Sequence, residues 1–236
     1  AALVKAEQVL DFMLQAVEQT GVPADCDVTL VPRWQDRRLV TIVTSVDPND
    51  KFGAGGVGVN RQIGSEQTLP YSIRFENLET ATAPAQDVLV IDALDAMTLD
   101  LNTVSLGRIT FGNRSIEPPP GLSNYAIDVD LRPQQQLIVR VGVNLDRATG
   151  VLSWSLGSID PATGQPPVDD LVGFLPPNIT PPEGEGSLLF TVRPKPGLTG
   201  GAAIRNRATI TFDGASRQTP EWSNTLDTTP PESHML

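Results

Sequence analysis

Residues 137–156 read LIVRVGVNLDRATGVLSWSL. Leu137, Val139, Val141, Val143 and Leu145 occupy every second position, and the same step resumes at Leu152, Trp154 and Leu156. Successive side chains of an extended chain point to opposite faces, so this spacing describes strands with one buried and one wet side. The same grammar runs outward in both directions. Residues 38–46 (RLVTIVTSV) are rich in β-branched side chains, and residues 69–77 (LPYSIRFEN) put Tyr71, Ile73 and Phe75 on one face. Residues 124–132 put Tyr125, Ile127, Val129 and Leu131 inward, with Asp128 and Asp130 outward. Leu188, Phe190 and Val192 continue the series, and Ile204, Ala208, Ile210 and Phe212 close it. Residues 86–91 (QDVLVI) form a nearly continuous apolar run suited to a central strand. At least eight strands between Gly, Pro, Asn and Asp turns predict an all-β fold of antiparallel sheets packed as a sandwich.

The first turns of the chain follow another period. Leu3, Ala6, Leu10, Met13 and Val17 recur at three- and four-residue steps, with Gly21 and Pro23 placed to stop a helix. This predicts one N-terminal amphipathic helix, which must pack on the following domain or on a neighbouring module. Two connections are long and rich in proline: 112–123, with Pro118, Pro119 and Pro120, and 160–186, with seven prolines. Leu171, Val172, Phe174 and Leu175 would anchor the second as an ordered strap across the sandwich. The expected division is 1–37 for helix and connector, 38–227 for the sandwich, and 228–236 (beginning TTPPE) for a linker.

The chain has 236 residues, 17 basic against 28 acidic, and a formal charge of −11. That balance argues against nucleic acid or anionic lipid as the main partner. No apolar run approaches a membrane span. The start, Ala1–Leu3, lacks a basic leader and reads as a mature fragment. One cysteine, Cys26, precludes an internal disulfide, and its neighbours Asp25 and Asp27 would raise its pKa. A single histidine, near the C-terminus, leaves no material for a His-cluster zinc site or a Ser-His-Asp triad in the body of the fold. Residues 53–58 (GAGGVG) lack the lysine and the strand–helix setting of a phosphate loop.

Five stretches resemble known families. Residues 69–94 (LPYSIRFENLETATAPAQDVLVIDAL) are similar to bacterial surface repeats of the DUF11 type, and residues 204–213 (IRNRATITFD) resemble the last strand of such domains. SVDPNDK at 45–51, the 158–186 segment and EWSNTLDTTPP at 221–231 look like an uncharacterised module of large secreted bacterial proteins, where it usually precedes further Ig-like domains. The resemblance spans roughly residues 43–231. It implies an Ig-like antiparallel sandwich, extracellular or cell-surface, whose partners are neighbouring Ig-like modules and a surface glycan or protein ligand. It implies no reaction.

Four features carry candidate chemistry. Asp47, Asn49 and Asp50 put three oxygen-bearing side chains around Pro48, a pattern suited to Ca2+, with the glycines downstream free to fold around the ion. The stretch resembles the linker motif of cadherins, and Leu145-Asp146-Arg147 resembles another of their calcium motifs. The alternative is a turn capped by Asp and Asn side chains. Glu183 and Glu185 would supply carboxylates to the same ion only if the strap brought them near, and otherwise form a solvated turn, as Asp169 and Asp170 do. Asn206 falls on the inward register and must find partners. In some Gram-positive surface sandwiches an inward Asn joins a Lys as an isopeptide, assisted by a carboxylate; Lys51 and Glu76 would fill those roles. The competing and preferred reading has Asn206 satisfying the backbone of a crossing loop. Trp34 and Trp222 would serve a sugar platform if exposed, whereas Trp154 sits in a core register.

Together these point to a non-catalytic spacer or adhesion module, with calcium as a candidate stabiliser. The alternatives are a calcium-dependent carbohydrate-binding module and a hydrolase built on paired carboxylates.

Overall fold

In the computed structural model, residues 49–229 are described, all within the unit Ile42–Leu236. The expected strand at 38–46, the N-terminal helix, Trp34, Cys26, Asp47 and residues 230–236 lie outside them. The described residues form fourteen strands. One sheet takes β1 (Asp50–Phe52), β3 (Leu69–Glu76), β5 (Leu99–Phe111), β6 (Arg114–Ile116) and β10 (Glu185–Pro194), in the order β1-β3-β10-β5-β6. The second takes β4 (Asp87–Ala93), β7 (Asn124–Asp130), β8 (Ile138–Asp146), β9 (Val151–Ile159), β12 (Ala208–Phe212) and β13 (Ala215–Gln218), in the order β13-β12-β4-β9-β8-β7. A small third sheet joins β11 (Ala203–Asn206), β14 (Trp222–Asp227) and β2 (Gln62–Gly64), with β14 and β2 parallel.

The decisive stretch forms the β8–β9 hairpin, with Val141 opposite Leu156 and Val143 opposite Trp154. Its turn is held by Asp146, whose carboxylate accepts from the Ala148 N–H and the Thr149 hydroxyl. Gly150 closes it at positive φ, where a Cβ would meet the Leu94 carbonyl oxygen at 2.4 Å. Inward residues of the two large sheets interlock: Trp154 on β9 lies 5.6 Å from Phe190 on β10, and Phe75 on β3 lies edge-on to Phe212 on β12 at 6.0 Å. Both layers therefore share one apolar core, as an all-β sandwich requires.

The proline-rich connection is ordered by its own polar groups. Leu175 bridges Ala85 through paired backbone bonds. The buried Asn178 donates to Glu76 Oε1 and Glu185 Oε1 and accepts from the Gly184 N–H. Phe174 and Leu175 are buried as anchors, Phe174 edge-on to Phe111, but Leu171 and Val172 are exposed. The apolar run at 169–175 therefore inserts only its second half.

Two strands depart from the sequence expectation. On β7 only Leu131, just past the strand, is fully inward; Tyr125 and Val129 are half-buried and Ile127 is exposed. β7 is the last strand of its sheet among the described residues, with no described strand on its outer side. β5 has no clean alternation in sequence because register shifts against β10 break its period: its buried residues Leu99, Leu101, Val104, Leu106, Ile109 and Phe111 alternate two-residue and three-residue steps.

Candidate functional site

β1 is short and lies at the edge of its sheet, with Lys51 opposite Ile73 on β3. Asp50 and Phe52 face out, so alternation drives Lys51 inward, and its side chain is fully buried. In the opposite layer β4 alternates likewise: Val88, Val90 and Asp92 face the core. Asp92 sits between Leu152 on β9 and Ala208 on β12. One of its oxygens, Oδ2, takes the Lys51 ammonium in a direct contact across the sandwich. Asn206 ends β11, one inward step before Ala208, and is 3% exposed.

The amine rests on aromatic faces, with Nζ 5.1 Å from the Tyr71 ring centre and 5.5 Å from that of Phe190. Tyr71 and Phe190 stack at 5.1 Å. The Asn206 amide acts on both the Asp92 carboxyl and the Tyr71 hydroxyl. Yet Asn206 Oδ1 and Nδ2, Asp92 Oδ1 and Tyr71 Oη all lack a hydrogen-bond partner of good geometry. Four orphaned polar atoms in one dry cluster are costly, since each loses its hydration without replacement.

Burial sets the protonation. Desolvation pushes the Lys51 amine below 10.5 and the Asp92 carboxyl above 3.8, each opposed by the other's charge. Both shifts favour the uncharged forms, an amine and a carboxylic acid. Burial, then the charge of Asp92, pushes the Tyr71 hydroxyl up, so it remains a protonated donor. The cluster thus brings together an amine, an amide carbonyl, a carboxyl and a phenol hydroxyl in the core, where burial favours the uncharged amine and the protonated carboxyl.

The carboxylate beside Lys51 is Asp92, and this corrects the assignment of that role to Glu76. Glu76 accepts from Asn178 at the strap. Asn206 does not bind a loop backbone either; that work falls to Asn77, whose Nδ2 donates to the Ala83 and Leu175 carbonyls. Sequence reasoning missed Asp92, although the signal that marks Asn206 marks it too: a polar residue in phase with inward Val88 and Val90.

The other candidates scatter. Asn49 has both side-chain polar atoms buried and unpartnered, whereas its neighbour Asp50 is exposed. Among the described residues no group of three His, Cys, Asp or Glu side chains is arranged for a metal. Asp169 caps a strap turn through the Leu171 N–H, and Arg147 donates to the Ser123 hydroxyl. Asp213 and Asp87 do approach one another, but Asp213 Oδ1 accepts the N–H groups of Gln86 and Asp87 and thereby pins a turn to β4. Trp222 offers little free ring: Arg61 covers its face at 3.9 Å, Phe52 meets it at 6.0 Å, and its Nε1 donates to the Ala54 carbonyl and Asn224 Oδ1. Trp154 is wholly buried.

The model of a domain of unknown function, DUF7619, matches residues 47–112. The matched segment carries Lys51, Tyr71 and Asp92 and stops short of Asn206. No curated protein matches the chain. Among solved structures it is similar to BcpA, the major pilin subunit of Bacillus cereus, at 13% identity and TM-score 0.42, covering 78% of this chain and 41% of that one. The N-terminal domain of the Streptococcus gordonii adhesin Sgo0707 is similar at 10% identity and TM-score 0.42, covering 75% and 32%. The collagen-binding domain of a Staphylococcus aureus adhesin is similar at 10% identity and TM-score 0.34, covering 78% and 99%. The chain thus spans less than half the length of the pilin and of the gordonii adhesin.

Proposed function

We propose that this sandwich is a non-catalytic, load-bearing module of a secreted bacterial surface protein, a spacer that holds neighbouring modules apart. The observation that carries this reading is the burial of Lys51 against Asp92. The first described strand of one layer is clasped to a central strand of the other, beside Asn206 near the end of the fold. Such a clasp ties the first described strand to the centre of the opposite layer through the core, where a pull on the chain would be felt. The resemblance to modules of large secreted proteins supports the extracellular setting.

Pulling the chain by its two ends in a single-molecule instrument tests the reading. The intact protein is expected to resist a higher force than Lys51→Met, which keeps the apolar stem and removes the clasp. Equal forces for both would overturn it. Calcium at Asp47, Asn49 and Asp50 is a second reading, favoured by the unpartnered Asn49 amide. A melting temperature that rises with millimolar calcium supports it, and one unmoved between calcium and EGTA removes it.

A further inference from the structure

We infer that the side chains of Lys51 and Asn206 become joined by an intramolecular isopeptide bond, which the folded chain forms by itself with Asp92 carrying the proton. The inference deepens the load-bearing reading by turning the clasp into a covalent one.

Three observations converge on it. Lys51, one of only three lysines in the chain, is placed inside the sandwich core, with its amine on Asp92. Asn206, an amide that makes no hydrogen bond of good geometry, lies beside that same carboxyl. The register places it there: Asp92 faces Ala208, and Asn206 is the next inward residue on the chain. A buried ion pair beside an unsatisfied amide is a poor end state, because desolvation opposes the charges and the amide has lost its water. An amide bond between Lys51 and Asn206 removes the amine altogether. It leaves one carbonyl for the Asp92 acid and the Tyr71 hydroxyl to hydrogen-bond.

The step balances without any co-reactant. The lone pair of the neutral Nζ adds to Asn206 Cγ, forming the Nζ–Cγ bond, and the carbonyl pair moves onto Oδ1. The protonated Asp92 and the Tyr71 hydroxyl are the donors available to that oxygen, in surroundings where a hydrogen bond to developing charge is strong. Asp92 relays a proton from Nζ to Nδ2, the Cγ–Nδ2 bond breaks, and ammonia leaves. Asp92 ends as it began. Burial works toward both requirements of the reaction, because it favours the uncharged amine and the protonated carboxyl. Holding the groups together in a rigid core replaces an encounter in solution.

Intact mass of the full chain decides the matter. The expected mass is lower than the sequence mass by about 17 Da, one ammonia. Trypsin should then release residues 39–61, uncut at Lys51, carrying residues 206–207 as a branch. A chain of full sequence mass overturns the bond, and so does a mass loss with no branched peptide, since that would be succinimide formation at an asparagine. Lys51→Met, Asn206→Ala and Asp92→Ala should each restore the full mass; a cross-link that persists in Asp92→Ala overturns its part as proton carrier. The wild-type measurement stands even if a variant fails to fold. A wild-type chain of full mass removes the bond and leaves the spacer reading, whereas a cross-linked chain no stronger under load than Lys51→Met removes the spacer reading and leaves the bond.

Discussion

Lys51 and Asp92, 41 positions apart in sequence and on opposite layers of the sandwich, meet side chain to side chain in full burial. Removing one partner exposes the cost of the other. Asp92→Ala is expected to lower stability by about 1–3 kcal/mol, because it leaves the buried Lys51 nitrogen without its polar partner. The double variant Lys51→Met/Asp92→Leu should recover part of that loss relative to Asp92→Ala, because both buried polar groups leave together. Denaturant melts of the three proteins check this.

The strap depends on one amide. Asn178→Ala deletes two donated bonds and leaves the Gly184 N–H without its acceptor. A loss of about 1–3 kcal/mol is expected. Limited proteolysis should cut the strap of the variant faster than that of the parent, since the backbone at 176–184 would open locally. Equal cutting rates would show that Phe174 and Leu175 hold it alone.

Acidic groups make part of the stability depend on pH. Burial, then the negative charge of Asp213, push the Asp87 carboxyl above 3.8, and burial pushes Asp213 up as well. A folded state that holds a proton more tightly than the unfolded chain is favoured at low pH, so this contribution is complete below 3.8 and declines as pH rises through the raised values. Asp87→Asn removes one titrating group and its repulsion with Asp213. Its stability is expected to fall less steeply than the parent's between pH 4 and 7, measured by melts in a buffer series, with those limits being about the range where shifted carboxyls titrate.

The edge position of β7 makes paired residues unequal. Ile127 and Val141 face each other across β7 and β8, but Val141 is buried and Ile127 exposed. Ile127→Thr should change stability by no more than about 0.5 kcal/mol. Val141→Thr buries a hydroxyl and should cost about 1–3 kcal/mol. Similar costs at both sites would place β7 deeper in the fold than its exposure indicates.

Much of the sandwich was legible because its strands obey a period of two. Residues 69–76, 138–146, 151–159 and 185–194 each keep one face apolar, and each became a strand in the expected phase. β5 was illegible for a local reason: bulges against β10 shift its phase, so no single alternation runs through it. β7 was misread because alternation states which face is apolar, whereas the number of flanking strands states how deeply it is buried.

Sequence by itself determined the fold class and the inward register of Asn206, because the direction of a side chain on a strand is a local property of the backbone. Only the tertiary structure decided which carboxyl meets the lysine. Glu76 lies on β3, in the same layer as Lys51, and Asp92 on β4 of the opposite layer, and pairing across the layers depends on which strands stack face to face. That choice is made by the packing of Trp154, Phe190, Phe75 and Phe212 between the sheets, a long-range arrangement that no short stretch of the chain encodes.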